Sequence, residues 1–387
     1  MRLSNLEGDK FMRHSLLKAA AIAGLFFGTV AGAEATPVTS FTPIAPVSGS
    51  TSTGALAIND SGIVAGGWYD SNNIEHAFFG PPDGSDYTTF DDGTPGFQGA
   101  GTEARAINNG GDITGYFSSS ALSCNIDLCE FERAATGKIN TIAMSGTPLI
   151  GIPGGINTSG QFVGAYYNPA DDYQSFGYYG DKHAYESDIT LPFSTSSTKG
   201  RGLSDSGEVV GFFTSADGTT TSGFVIQDDT VTVVNDPDVK AVNGTFLEGV
   251  NKKGWIVGSW DDKAYKPHAF ILSPDLTTFI EIKVPDSSYS QSFGINKSDR
   301  MVIGGATGPF IYCDSRTNPV PACTPTTDHL PAVNAPIAVP RGTFAQYKCR
   351  GDCITYKLAT PGAPAAHAGV PQELRALRTL LPGTALP

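Results

Sequence analysis

Six copies of one phrase set the limits on what this chain can fold into. Ala57-Ile-Asn-Asp-Ser-Gly-Ile-Val-Ala-Gly66 returns from Ala106 to Gly115, from Gly155 to Gly164, from Gly202 to Gly211 and from Gly249 to Gly258. An irregular sixth copy runs from Gly294 to Gly304. The register positions are Asn59, Asn108, Asn157, Ser204, Asn251 and Asn296, spaced by 49, 49, 47, 47 and 45 residues. A period in this range marks a repeat architecture, in which each unit covers the apolar face of its neighbour.

Each unit reads as four short strands, named a to d here. Strand a ends at the Asn, and Asn-x-x-Gly closes a tight turn, because Asn forms an Asx-turn and Gly accepts positive φ. Strand b carries an apolar residue at +5 (Val64, Ile113, Phe162, Val209, Ile256, Met301), a Gly at +7 and an aromatic residue at +9 (Trp68, Phe117, Tyr166, Phe213, Trp260). Offsets of two place all three on one side of a strand. The Gly is expected to leave room for a neighbouring sheet. Strand c holds a Phe in every copy: Phe78, Phe131, Phe176, Phe224, Phe270 and Phe310. Strand d is a β-branched run such as Thr230–Val234 or Thr277–Val284.

The sixth copy stops after strand c, near Cys313, whereas an orphan segment, Phe41–Pro46, precedes the first. Placing that segment beside Phe310 completes the last sheet and leaves no open edge between start and end. Pro43 then belongs on an outermost strand, where no ladder donor is missed. The reading is an all-β, six-bladed β-propeller of four-stranded antiparallel blades over 38–315, closed by the N-terminal strand. A linear β-solenoid built from the same units needs no such strand.

These turns, together with His76-Ala-Phe78 and His268-Ala-Phe270, resemble the bacterial extracellular repeat family named HAF for its His-Ala-Phe signature. The resemblance covers most of 38–315 and implies export and repeat architecture, with no reaction attached. Ser204 replaces the turn Asn, Asp299 replaces the turn Gly, and Cys129, Gln174, Ser222 and Gly308 fill the His slot elsewhere.

Residues 1–35 read as a secretory signal: a basic start, the apolar run Ala19–Ala33, and small residues at Ala31, Ala33 and Ala35. The run falls short of the roughly 20 residues a membrane span needs. The expected protein is secreted or periplasmic and monomeric, with no membrane span once the signal is removed. Six cysteines lie beyond the signal, at Cys124, Cys129, Cys313, Cys323, Cys349 and Cys353. Export makes disulfides the first reading, with the near pairs favoured. Fifteen pairings remain open, and a metal site is the alternative. Residues 316–387 read as a Pro- and Ala-rich extension with a short terminal helix.

With 25 Lys+Arg against 38 Asp+Glu and a formal charge of −13, the chain is not built for nucleic acid, which needs clustered bases. The d–a and b–c connections are the long, variable ones, so function is expected on the face they share. Arg105, Arg201 and Glu248 occupy one slot, three residues before the register position; other repeats hold Leu56, Gly154 and Phe293 there. On innermost strands these charges suit a carboxylated or sugar ligand, or a structural ion pair. Tyr69, Tyr167 and Tyr289 are further ligand-binding candidates. Acidic pairs such as Asp91-Asp92, Asp171-Asp172, Asp228-Asp229 and Asp261-Asp262 suit Ca²⁺ or plain solvated loops.

No cofactor is assigned, and no catalytic residue. The function read from these features is recognition of extracellular polysaccharide, or of another envelope or extracellular protein. The alternative is a propeller lyase or hydrolase acting on a polymer, with Arg105, Arg201, Glu248, His183 or Tyr289 near its site.

Overall fold

The first described strand, β1 (Thr39–Pro43), pairs antiparallel with the last, β24 (Gly308–Asp314), matching Phe41 to Tyr312 and Pro43 to Phe310. The computed structural model describes residues 39–91, 101–118, 128–142, 150–168, 174–181, 184–238 and 241–317. The expected signal, the extension from 318 on, His183, Asp92, Asp171, Asp172, Cys124, Cys323, Cys349 and Cys353 lie outside the described residues.

The strands form six four-stranded antiparallel sheets. Blade 1 is β2 (Ser52–Ile58), β3 (Val64–Tyr69), β4 (Glu75–Gly80) and β5 (Thr88–Phe90). Blade 2 is β6 (Thr102–Ile107), β7 (Ile113–Ser118), β8 (Leu128–Arg133) and β9 (Ile139–Thr141). Blade 3 is β10 (Ile150–Ile156), β11 (Gln161–Asn168), β12 (Gln174–Asp181) and β13 (Ala184–Asp188). Blade 4 is β14 (Thr195–Leu203), β15 (Val209–Ser215), β16 (Thr221–Gln227) and β17 (Thr230–Val234). Blade 5 is β18 (Thr245–Val250), β19 (Ile256–Asp261), β20 (Pro267–Leu272) and β21 (Phe279–Ile282). Blade 6 is β22 (Ser290–Ile295), β23 (Met301–Gly305) and β24, completed by β1 in the order β1-β24-β23-β22. Each innermost strand touches the next, and β22 touches β2, so the ring closes. This is a six-bladed β-propeller.

The turn grammar works as the residue types demand. Asn59 Oδ1 accepts from the Ser61 and Ile63 amides, both at 3.0 Å, and Gly62 sits at φ 81°. Blade 4 substitutes the Ser204 hydroxyl, which accepts from the Glu208 amide at 3.0 Å. Asp299 takes the left-handed turn position of blade 6 at φ 54°, a conformation Asp tolerates better than most residues. Its buried carboxylate accepts from Asn251 Nδ2 at 2.7 Å and Lys253 Nζ at 2.8 Å, so the departure from Gly ties blade 6 to blade 5.

Cores lie between blades. One cluster joins Ala57, Ala65 and Ala77 of blade 1 to Ile107, Ile113 and Phe131 of blade 2. Ile44 and Val47, just past β1, are buried with Val302 and Ile311 of blade 6 and Val64 of blade 1. The strand-b apolar positions Val64, Ile113, Phe162, Val209, Ile256 and Met301 are all buried.

Two expectations are corrected. The +7 glycines admit an aromatic ring of their own blade, not a neighbouring sheet. A Cβ on Gly115, Gly211 or Gly258 would lie 2.6–2.8 Å from Phe131, Phe224 or Phe270, and 2.0–2.2 Å from a strand-a carbonyl. In blade 3 the residue opposite Gly164 is Tyr178, and Phe176 pairs with Tyr166. The aromatic slot there is Tyr178 and the His slot is Phe176, each two residues beyond the sequence assignment.

Candidate functional site

Along each innermost strand, equal offsets from the register position form layers around the axis. At −2 stand Ala57, Ala106, Gly155, Gly202, Gly249 and Gly294. A Cβ on Gly202 would meet Gly249 Cα at 2.9 Å, and one on Gly294 would meet Ala57 Cα at 3.1 Å. The inner strands therefore touch backbone to backbone, and small residues are required there.

The register asparagines link the blades. Asn59 Nδ2 donates to the Asn108 carbonyl at 3.2 Å, Asn108 to Asn157 at 3.0 Å, Asn251 to Asn296 at 2.9 Å, and Asn296 to Asn59 at 3.1 Å. Above this ring the a–b turns surround a depression of about 80 Å³, floored by the −1 residues Ile58, Ile107, Ile156, Leu203, Val250 and Ile295. It falls well below the roughly 300–1,000 Å³ of a small-molecule site. Side chains of the rim bond to one another: Asn109 Nδ2 donates to Asp60 Oδ2 and Asp205 Oδ2, both at 3.0 Å. Burial works against ionisation of Asp205, but hydrogen bonds from Thr158 and Asn109 and the Lys252 charge outweigh it and hold its carboxyl below the usual range.

The slot singled out in the sequence, three before the register position, is where the strand bulges. Pairing skips Leu56, Arg105, Arg201 and Glu248, and shifts across 154–155 and 293–294. A bulge re-aims its side chain, and this one recurs in all six innermost strands. Arg105, Arg201 and Glu248 are buried. Arg201 Nε meets Glu248 Oε2 at 2.8 Å, and Arg105 meets Glu103 Oε1 at 2.9 Å.

Glu103 leads into the group that the sequence did not reveal. Tyr69 ends β3 at the b–c turn, Glu75 begins β4 opposite it, and Glu103 follows the d–a connection into β6. All three lie at the b–c/d–a end of the propeller. Glu75 hydrogen-bonds to Glu103 and accepts from the Tyr69 hydroxyl. Its carboxyl sits between two glycines: a Cβ on Gly67 or Gly101 would come within 2.9 Å of the Glu75 side chain. Burial above all, then the charge of Glu103 and the hydrogen bond to it, push the Glu75 carboxyl well above the usual range; Tyr69 and Arg105 offset part of this. Glu75 therefore holds its proton more tightly than a surface glutamate does. The buried Tyr116 hydroxyl is pushed up by burial and then by the charges of Glu103 and Glu75. Two expected residues, Tyr69 and Arg105, are thus brought together with two unforeseen ones, Glu75 and Glu103.

The other candidates lie elsewhere. Tyr167 is 2% exposed, and Lys199 Nζ lies 5.2 Å from its ring centroid, so it presents no open platform. Half-buried Tyr289 bonds through its backbone to Ser287 Oγ in the connection from blade 5 to blade 6. Among the +9 aromatics, Phe117, Phe213 and Trp260 are buried in inter-blade clusters, while Trp68 and Tyr166 are half-buried against them. Cys129 and Cys313 are both buried. Among the described residues no three His, Cys, Asp or Glu side chains are grouped to hold a metal ion, and no helix is long and apolar enough to cross a membrane.

No family model and no curated protein matches the chain. Among solved structures it is similar to a streptogramin B lyase at 12% identity, over 72% of this chain and 98% of that one, with a TM-score of 0.40. It is similar to TolB from Acinetobacter baumannii at 14% identity, over 66% and 64%, with a TM-score of 0.43. A mutant of Aleuria aurantia lectin in complex with alpha-methyl-L-fucoside aligns at 12% identity, over 60% and 78%, with a TM-score of 0.39. At these identities no ligand or reaction carries over to this chain.

Proposed function

We propose that this chain is an exported, monomeric binding protein of the HAF-repeat kind. In this reading it recognises an extracellular polysaccharide at the b–c/d–a end of the propeller. The observation that carries the reading is the group of Tyr69, Glu75, Glu103 and Arg105 at that end, with Tyr69 and Glu75 half-buried over buried Glu103 and Arg105. A sugar hydroxyl both donates and accepts. A carboxyl that holds its proton tightly, a phenol and a guanidinium offer donors, and the carboxyl oxygens offer acceptors. The tyrosine ring adds a face for stacking.

Binding is favoured over glycoside hydrolysis by the spacing of the acids. Glu75 and Glu103 are in hydrogen-bond contact, whereas hydrolysis needs carboxyl groups roughly 5–9 Å apart, on either side of the scissile bond. Export by residues 1–35 and oxidation of the cysteines belong to the same reading. Cys129 and Cys313 are engaged through sulfur, which supports that oxidation.

A glycan array probed with the purified chain and its Tyr69→Ala, Tyr69→Phe and Arg105→Ala variants tests the proposal. The expected result is binding to at least one polysaccharide, weakened about tenfold or more in Tyr69→Ala, a loss of about 1.4 kcal/mol. No binding to any glycan, or undiminished binding in Tyr69→Ala and Arg105→Ala together, would overturn it.

A further inference from the structure

The hairpin of β3 and β4 carries two cross-strand pairs back to back. Tyr69 faces Glu75, and one residue along each strand Trp68 faces His76. Successive side chains leave a strand on opposite sides. The first pair reaches Glu103 and Arg105 of blade 2, and Trp68 packs with Val302 and Ile311 of blade 6.

His76 is held on three sides. Its ring stacks on Trp68 with centroids 4.5 Å apart and an interplanar angle of 26°. Nδ1 lies 2.8 Å from Asp91 Oδ1, just beyond β5, and Nε2 lies 3.8 Å from Asp70 Oδ2 in the b–c turn. The other oxygen of Asp70 accepts from the Asn72 and Ile74 amides, both at 2.8 Å, so the carboxylate that meets the imidazole also shapes the turn.

Blade 5 repeats the device. His268 stacks on Trp260 at 4.0 Å and 12°, with Nε2 3.6 Å from Asp262 and Nδ1 3.6 Å from Glu281. Asp262 Oδ1 accepts from the Ala264 and Lys266 amides at 2.7 and 2.9 Å. In the other four blades the paired positions hold Phe117 and Cys129, Tyr166 and Phe176, Phe213 and Ser222, and Gly305 and Gly308. Trp and His thus occur together or not at all. Behind the blade 5 latch stand Asp261 and Pro267 in place of Tyr69 and Glu75.

We propose that His76 is a proton-operated latch on the ligand site: protonated, it ties the b–c turn to the outer strand through Asp70 and Asp91 and holds Tyr69 and Glu75 in register; neutral, it lets the turn go. The proposal rests on the reading of Tyr69, Glu75, Glu103 and Arg105 as that site. Histidine is the side chain whose charge changes between pH 5 and 8, and an imidazolium against an indole face adds a cation–π attraction. Among the described residues, the charged or titratable groups around His76 are Asp70 on the turn, Asp91 beyond β5 and, on the reverse of the hairpin, Glu75 with Tyr69, Glu103 and Arg105. Around His268 they are Asp262 and Glu281; Glu281 also pairs with Lys283 at 3.3 Å and acts on Asp236.

Amide hydrogen exchange, converted to protection factors at pH 5 and pH 9, reads the latch without any ligand. In the native chain the Ile74 and Lys266 amides are expected to lose about tenfold in protection as pH rises. His76→Gln abolishes the pH dependence at Ile74 alone, and His268→Gln abolishes it at Lys266 alone. Asp91→Asn, which keeps the histidine, weakens the Ile74 response. Equal protection of Ile74 at both pH values would sink the latch, as would an Ile74 response that survives in His76→Gln. A chain that shows this pattern yet binds no glycan keeps the latch and overturns the binding reading instead.

Discussion

Asn296 Nδ2 donates to the carbonyl of Asn59 at 3.1 Å, across 237 positions of sequence. The bond joins the sixth repeat to the first and uses the same atoms as the links from Asn59 to Asn108 and from Asn108 to Asn157. Asn59, Asn108, Asn251 and Asn296 therefore each do two things: the oxygen shapes its own turn, and the nitrogen holds the next blade. The first duty is local and the second is what makes the repeats a ring.

Asn296→Asp separates the two duties, because an aspartate keeps the turn acceptor and loses the amide donor. The variant is expected to be less stable by about 1–2 kcal/mol, the net worth of a buried hydrogen bond and its stranded partner. Urea unfolding checks this, with the exposed Asn72→Asp as a control expected to stay within about 0.5 kcal/mol.

The chain of amide links is open at two joints: Asn157 Nδ2 turns to Gln161 within blade 3, and Ser204 carries no amide to reach from blade 4 to blade 5. The same joint, from blade 4 to blade 5, holds the buried pair of Arg201 and Glu248. Ser204→Asn is expected to add a link to the Asn251 carbonyl and raise stability by about 1 kcal/mol. Thermal unfolding of that variant reads the gain.

Arg201→Met alone leaves Glu248 charged and buried, and is expected to cost about 3–5 kcal/mol. Arg201→Met together with Glu248→Leu removes both charges, and most of that loss is expected to return. Comparing the two variants by denaturant unfolding separates a structural pair from a ligand-binding one, since glycan binding is expected to survive in the double variant.

Glu130 gives the molecule an alkaline limit. It sits at the contact of blades 2 and 3, where Tyr178 donates to Oε1 at 2.8 Å and Oε2 has no partner among the described residues. Burial pushes its carboxyl up to about 8, and the Tyr178 hydrogen bond offsets part of that. The folded state thus holds its proton more tightly than the unfolded chain. The associated stability is full below the ordinary glutamate range and is lost as pH rises toward and through about 8. Glu130→Gln is expected to match the parent at pH 4 and exceed it by roughly 3–5 kcal/mol at pH 9. Unfolding measured at both pH values reads the difference.

The sequence shows the architecture more plainly than the site, for physical reasons. Turn residues answer to backbone conformation, so Asn59 and Gly62 and their counterparts repeat, and the blade count can be read directly. The closing strand is legible because the sixth repeat visibly lacks one. Arg105, Arg201 and Glu248 stand out as charges in an otherwise varied slot. That the slot is a bulge is not legible, because bulges come from ladder register and five different residue types occupy this one. Glu75 and Glu103 belong to different repeats at unrelated offsets, and only the packing of blade 1 on blade 2 brings them together. The slip at Phe176 has a similar cause: two aromatic residues two positions apart are equivalent to any pattern, and only Gly164 selects Tyr178.

Ring closure by the N-terminal strand is tested most directly by removing that strand. A chain beginning at Ile44 lacks the ladder that matches Phe41 to Tyr312 and Pro43 to Phe310, and leaves β24 as an open edge. Its urea-unfolding free energy is expected to fall by about 2–4 kcal/mol relative to a chain beginning at Thr39, and a synthetic Thr39–Pro43 peptide is expected to recover part of the loss. Equal stability of the two chains would contradict the account.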